Sequence, residues 1–393
     1  MQSTKFDISL EDLTKILSDL VGINSINPSL SSEGIGEEEI GTYIADTLSN
    51  MELEVTTYPL APNRMNVVGL QRGSRKAKKR GRSLLLNAHM DTVGVEGMHG
   101  DPFGAEIRDG KLFGRGAQDM KGSIAAMLAA AQAIQDSGFE LSGDFIISAV
   151  ADEEHASIGT EDLVRRVTAD SAIVTEPTDL TICRAHRGFI WYDVETLGRA
   201  AHGSRFIEGV DANMRMGRFL SKLEDLEKAL RNRDPHPLAG PPSLHAAHLQ
   251  GGSEISIYAA HCLLQIERRT SPGETVPQAT AELQQILDTL VREDPSYKAI
   301  LTTKFSREPF EIPKDAEIVT VLENACKTRL GSNPSHTGQT FWTDAALLSK
   351  AGIETVLIGP TGNGLHSAEE WVDLKSVLDL AYILAETAIL YCQ

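Results

Sequence analysis

Apolar residues recur with helical spacing over Leu10–Leu20 and again over Glu37–Asn50, and Leu53–Thr57 reads as a strand. Asn66–Leu70 and Ser83–Ala88 are short apolar runs flanked by turn or basic residues, the form that buried strands take. Met120–Ile134 is rich in Ala, Met and Leu, contains no Pro and ends near Gly138, which predicts a buried helix. Asp144–Ala151 is a further predicted strand, with a helix following from about Thr160. Strands alternating with helices over roughly the first 180 residues predict an α/β layer fold with a mainly parallel sheet.

The pattern changes after Pro177. Phe189–Thr196 alternates as a strand and Asp211–Arg231 is helical. A Pro/His/Gly-rich loop, Asp234–Gly252, then leads to a predicted strand Ile255–Arg268 and a helix Ala281–Val291. This predicts a smaller α+β insert over residues 186–297, between α/β segments at 1–185 and 298–393. From about Pro309 the α/β pattern resumes with helices Ala316–Arg329 and Thr343–Lys350, strand Thr355–Ile358, a Gly-rich loop and helix Leu374–Leu390. There is no internal repeat.

Composition narrows the function. A length of 393 residues suits two or three domains, and 41% hydrophobic with 23% charged residues is an ordinary globular mix. The net charge of −18 argues against nucleic-acid or anionic-membrane binding, which need a concentrated basic face. The one basic block, Arg72–Arg82, is either a polyanion patch or a solvated hairpin loop between two strands, and the loop is the simpler expectation. The N-terminal residues do not resemble a signal peptide, and no run of about 18 apolar residues could span a bilayer, so a cytoplasmic setting is expected. Cys183, Cys262, Cys326 and Cys392 lie far apart with no CxxC, which excludes a compact disulfide framework and thiolate zinc sites and suggests small core residues. Any metal must therefore use carboxylates and some of the 11 histidines.

Five short clusters could supply that chemistry. His89 and Asp91 are two apart at a strand end and so point the same way, although an H-x-D can be an ordinary strand terminus. Asp119 stands at a loop-to-helix junction and could be an N-cap, but the glycines around it permit conformations that a cap does not need. Asp152-Glu153-Glu154 follows a buried strand, either as a solvated edge or as neighbours with different jobs, one ligating metal and one moving protons. Glu176 ends another strand, and His366 lies in the Gly-rich loop. Together, N/O ligands on loops after successive strands of one sheet suit Zn²⁺, Co²⁺ or Mn²⁺ and are enough for a two-metal site.

At these residues the chain resembles the M20 family of metallohydrolases, the group of acetylornithine deacetylase, succinyl-diaminopimelate desuccinylase, aminoacylase-1 and carboxypeptidase G2. The resemblance runs over nearly the whole length through the ordered set AHMDT, GRGAQDMKG, DEE, TEPT, AAHGS and LHSAEE. It implies two divalent metal ions, with Zn²⁺ expected first: one held by His89, Asp119 and Glu176, the other by Asp119, Glu154 and His366, with Asp119 bridging. Asp91 would orient His89, Glu153 would be the catalytic base, and the Asp119–Met120 peptide would be cis. Segments 1–185 and 298–393 would form one catalytic domain, and 186–297 a dimerisation or lid domain. His202, an ordinary loop histidine on its own terms, would stabilise the oxyanion in the partner's site of a homodimer.

Arg269 matches the family arginine that holds the substrate carboxylate, and a guanidinium fork suits that bidentately. Ser256 stands where Asn is common and Ala346 where some members carry a substrate-binding Arg, so the substrate is less defined than the metal site. Glu at position 176, where many dipeptidases have Asp, favours hydrolysis of a small N-acyl, most simply N-acetyl, amino acid. A carboxypeptidase or dipeptidase acting on a short peptide is the alternative within the family. A non-catalytic metal-binding protein would be expected to have lost a ligand or the base, and none is missing. Of the remaining histidines, His186 and His336 are those expected to line a cleft.

Overall fold

The computed structural model describes residues 7–74 and 80–393. The chain forms two compact units: the part up to Arg184 with Ile312–Thr337 and Thr343–Gln393, and Ala185–Glu311 with Gly338–Trp342.

The first unit is built on a mixed sheet in the order Glu54–Ala61, Arg64–Gln71, Phe145–Val150, Leu84–His89, Ser171–Val174, Glu354–Leu357. The last of these touches, through Leu357 and Cys183, the strand that begins at Ile182. The central four strands are parallel. Phe145–Val150, Leu84–His89 and Ser171–Val174 are buried at every position, which is why they read as continuous apolar runs rather than alternating ones. Helix Gly122–Asp136 packs against Leu10–Gly22 and Leu374–Tyr391, and its run of alanines, nearly all buried, lets the helices approach closely. A small antiparallel sheet of Glu106–Arg108, Lys111–Phe113, Trp371–Asp373 and Gly362–Asn363 anchors the Gly-rich loop that carries His366.

The second unit is a four-stranded antiparallel sheet in the order Ser243–Gly251, His261–Thr270, Gly188–Leu197, Ala299–Arg307. Ile190, Tyr192, Val194, Leu264 and Ile266 form one core with Phe219 and Leu223 of helix Ala212–Arg231 and Leu283 and Leu287 of helix Val276–Glu293.

Several boundaries differ from the sequence expectation. Ser243–Gly251 is a strand inside the expected loop, the next strand begins at His261 rather than Ile255, and Ala299–Arg307 joins the second unit, moving its boundary from 297 to 311. Ser243–Gly251 and Ala299–Arg307 are the edge strands of their sheet, the first largely exposed and the second with no fully buried position, so neither carries a strong apolar alternation to detect. The basic block does not sit in a hairpin, because Phe145–Val150 lies between the strands on either side of it. Residues 75–79 of that block fall outside the described residues. Arg72, Arg80 and Arg82 pair with Glu54, Asp144 and Glu317. All four cysteines are buried and none is in a disulfide. Among the described residues no helix is long and apolar enough to cross a membrane.

Candidate metal centre

Open α/β sheets gather ligands beyond the carboxyl ends of their strands, and the acidic residues of this chain converge there. His89 ends one central strand, Glu153 and Glu154 follow another and Glu176 a third, while Asp119 sits in the turn Ala117–Lys121. His89 Nε2 lies 3.1 Å from Asp119 Oδ1 and 3.8 Å from Glu176 Oε1. His366 Nε2 lies 3.3 Å from Asp119 Oδ2 and 3.0 Å from Glu154 Oε2. The two oxygens of Asp119 thus face different histidines. His89, Asp119 and Glu154 on one side, and His89, Glu153 and Glu176 on the other, each offer ligand atoms within 4.8 Å of one another.

The electrostatics of the cluster are those of crowded, buried acids and imidazoles. Burial, and then the charge of Glu176, push the Glu153 carboxyl well above its ordinary range; Glu176 is likewise pushed up by burial. Glu154 rises to about 7 through burial and the charge of Asp119. His366 rises to about 10 through its hydrogen bonds to Asp119 and Glu154. Burial opposes a charge on His89, yet its hydrogen bond to Asp119 and the surrounding carboxylates hold it well above normal. The shifts share one cause, the crowding of carboxylates and imidazoles in a buried space. An N/O donor set that concentrates acid in this way fits divalent cations.

The supporting residues explain how these groups are held together. The Asp91 carboxylate accepts from the backbone N–H of Glu153 (3.1 Å) and Glu154 (3.2 Å) and from Asn27 Nδ2 (2.8 Å). His89 Nδ1 meets the Asp91 backbone carbonyl at 2.9 Å, while the carboxylate is 3.7 Å away. Asp91 therefore contacts His89 mainly through its main chain and fixes the Glu153–Glu154 loop through its side chain. Asp152, with a left-handed φ of 72°, accepts from Asn27 (3.0 Å) and Arg64 (2.8 Å), and Arg64 forks onto buried Glu37. The Glu370 carboxylate accepts from the N–H groups of Gly116, Gln118 and Asp119 and from Arg115, clamping the Asp119 turn. Gly116 is required in that turn: its φ is +79° and an added Cβ would lie 2.8 Å from Thr92 Cγ2. Asp119–Met120 is cis, as the resemblance implied. Asn27, Glu37, Arg64 and Glu370 escaped the sequence reading. The only signals were the acidic neighbours of known motif positions, Asp152 beside Glu153 and Glu370 at the end of LHSAEE.

Of the other expected site residues, His202, Ser256, Arg269 and His186 lie in the second unit and His336 in the first. His202 is exposed, its Nδ1 2.8 Å from Ser204 Oγ, and the Gly203 N–H donates to the Ser256 carbonyl at 2.7 Å, which places His202 and Ser256 together. Arg269 is half-buried on strand His261–Thr270, 2.9 Å from Glu267. His186 is buried with its ring against Phe310 and Trp342, and His336 accepts from Arg184 Nε at 2.8 Å. Neither belongs to the metal cluster.

Fold and centre together define a metal-dependent hydrolase of amide bonds. The chain belongs to peptidase family M20/M25/M40, whose profile matches residues 85–389. It is 28% identical over 316 residues to an acetylornithine deacetylase of Buchnera aphidicola subsp. Schizaphis graminum, covering 79% of this chain and 81% of that one. It is 26% identical over 431 residues to the N-formyl-4-amino-5-aminomethyl-2-methylpyrimidine deformylase of Bacillus subtilis, covering 97% and 95%. Its fold matches aminopeptidase PepT from Bacillus cereus with a TM-score of 0.79 at 17% identity over 98% and 100% of the two chains. It also matches the Bacillus subtilis YXEP protein, described as a dinuclear metal binding peptidase, with a TM-score of 0.74 at 15% identity over 98% of each. Family and cluster together support a two-metal centre.

Two outcomes are expected. Chelation should lower the thermal unfolding temperature and added Zn²⁺, Co²⁺ or Mn²⁺ should restore it, because a cation held by the folded cluster stabilises it by mass action. An unchanged melting profile would count against the centre. Arg64→Met should cost about 3–5 kcal/mol in urea unfolding, since it leaves Glu37 and Asp152 buried without their counter-charge.

Proposed function

We propose that this protein is a two-metal amidohydrolase that cleaves a small N-acyl, most simply N-acetyl, amino acid into a carboxylate and a free amino acid. The observation that carries the reading is Asp119, whose two oxygens face His89 and His366 separately, as a carboxylate shared between two cations must. His89, Asp119 and Glu176 would hold one cation and Asp119, Glu154 and His366 the other, with Zn²⁺ the proposed metal and Co²⁺ or Mn²⁺ the alternatives. Bound cations of this kind lower the pKa of water and polarise a carbonyl.

Glu153 is the proposed base. Its backbone is fixed by Asp91 and its side chain is half-buried near Glu176, a setting that favours a proton acceptor able to give the proton back. It takes a proton from the attacking water and delivers it to the leaving nitrogen as the amide C–N bond breaks. Arg269 is the proposed grip on the substrate carboxylate, with Ser256 a further substrate contact. The acyl-transfer chemistry of the deacetylase and deformylase relatives supports the N-acyl reading.

His202 is the proposed donor to the oxyanion in the partner subunit's site. Exposed Phe206, Ile207, Met214 and Ile255 and the edge strand Ser243–Gly251, all in the unit that carries His202, support a homodimer through this unit. The cytoplasm is the proposed setting.

Glu153→Gln should keep its metal content while kcat on N-acetyl-ornithine and other N-acetyl amino acids falls at least ~10²-fold; near-wild-type turnover would sink the assignment. A panel that includes a free-amine dipeptide separates deacylase from dipeptidase. Mixing inactive Glu153→Gln and His202→Ala proteins under subunit exchange should restore activity, because a mixed dimer contains one site with both groups. Failure to complement would remove His202 from the partner's site.

A further inference from the structure

The sheet of the second unit has two faces, and only one is covered by its helices. Strand periodicity sends Ile190, Tyr192 and Val194 into the core and Phe189, Trp191 and Asp193 to the opposite face. In register across three strands, Arg269, Phe189 and Arg307 form one row and Glu267, Trp191 and Phe305 the next. The aromatic members of these rows touch: ring centroids are 5.4 Å apart for Phe189–Trp191, 5.4 Å for Trp191–Phe305 and 5.9 Å for Phe189–Phe305. Trp342 meets Phe189 edge-on at 6.2 Å. The guanidinium of Arg269 lies 5.3 Å from the Phe189 ring centre and that of Arg307 4.5 Å from the Phe305 ring centre.

Cross-strand packing alone accounts for aromatic pairs, but not for two further features. Trp191 is 42% exposed and is the one member of the aromatic cluster that lines an open groove of about 470 Å³, beside Asp193, His245, Gln265, Glu267 and Lys304; Phe189, Phe305 and Arg269 lie outside that lining. Cationic charge is also concentrated beside Phe189, where Arg187 is held below its ordinary value by burial and by Arg269. Glu267 offsets one of these charges, at 2.9 Å from Arg269, and its carboxylate also accepts from Trp191 Nε1 at 3.2 Å. An aromatic surface rimmed by guanidiniums is complementary to a ligand that joins an anion to an aromatic ring.

We propose that Phe189, Trp191 and Phe305 form a platform for the aromatic side chain of an N-acyl amino acid whose carboxylate is held by Arg269. This rests on the reading of the protein as an N-acyl amino acid hydrolase and of Arg269 as its carboxylate grip. In such a substrate only Cα and Cβ separate the carboxylate from the ring, so a carboxylate at Arg269 brings the ring to the neighbouring aromatic row. The acyl group departs from the other side of Cα and is not what the platform selects. The substrate class is thus N-acyl-phenylalanine, -tyrosine or -tryptophan.

The test compares kcat/KM for N-acetyl-phenylalanine and N-acetyl-alanine in metal-loaded wild-type, Trp191→Leu, Phe305→Leu and Trp191→Phe proteins, with thermal unfolding as a check on folding. Wild type should prefer the aromatic substrate, and each Leu variant should lower the ratio of the two constants about tenfold, mainly through KM for the aromatic substrate. Trp191→Phe should recover most of the ratio. Hydrolysis of both substrates with no aromatic preference, or an unchanged ratio in well-folded Leu variants, overturns the platform and leaves the hydrolase reading standing. Hydrolysis of neither substrate, nor of any other N-acyl amino acid, overturns that reading and the platform with it.

Discussion

The first unit is organised around one carboxylate shared by two histidines. Asp119 is 3.1 Å from His89 through one oxygen and 3.3 Å from His366 through the other, within a cluster that also contains Glu153, Glu154 and Glu176. Carboxylates at such separations cannot all remain charged unless positive charge is placed among them. Much of the surrounding structure holds this arrangement in place. Glu370 gathers three backbone N–H groups to fix the turn under Asp119, and Asp91 gathers two to fix the loop of Glu153 and Glu154. Beneath that loop, Arg64 balances Glu37 and Asp152, so the loop rests on a paired rather than a bare buried charge.

What could be read in the sequence follows from this organisation. The central strands are buried on both faces and appear as continuous apolar runs, and each is followed within two or three residues by chemistry-bearing side chains. His89, Glu153, Glu154 and Glu176 were therefore legible from the strand pattern, whereas Asp119 and His366, which follow none of these strands, joined them through the ordered motifs of the family resemblance. The residues that hold them were not legible, because their partners are distant along the chain: Arg64 and Asp152 are 88 positions apart, Gly116 and Glu370 254. No local period encodes such a pairing. The strands Ser243–Gly251 and Ala299–Arg307 were illegible for a different reason, since an edge strand with few or no fully buried positions has little apolar pattern to show.

The second unit shows how much depends on a period of two. Arg268 and Arg269 are neighbours with opposite fates. Arg268 is 1% exposed and bound to Glu274 and Glu282 in the helix-covered layer, whereas Arg269 reaches the open face beside Phe189. A register slip of one residue would exchange the structural arginine for the one available to a ligand. The same alternation builds a conventional core on one side of strand Gly188–Leu197 and an aromatic row on the other.

The order in which the cluster residues occur along the chain has a consequence for biosynthesis. His89, Asp119, Glu154 and Glu176 precede the second unit, while His366 and the Glu370 clamp follow it. Domains tend to fold as they are synthesised, N-terminal parts first. A nascent chain therefore emerges with an acidic half-site that has neither its second histidine nor the clamp on its central turn. The cluster closes only when the segment after the second unit joins the first unit, so its last histidine and its clamp arrive late in the growth of the chain.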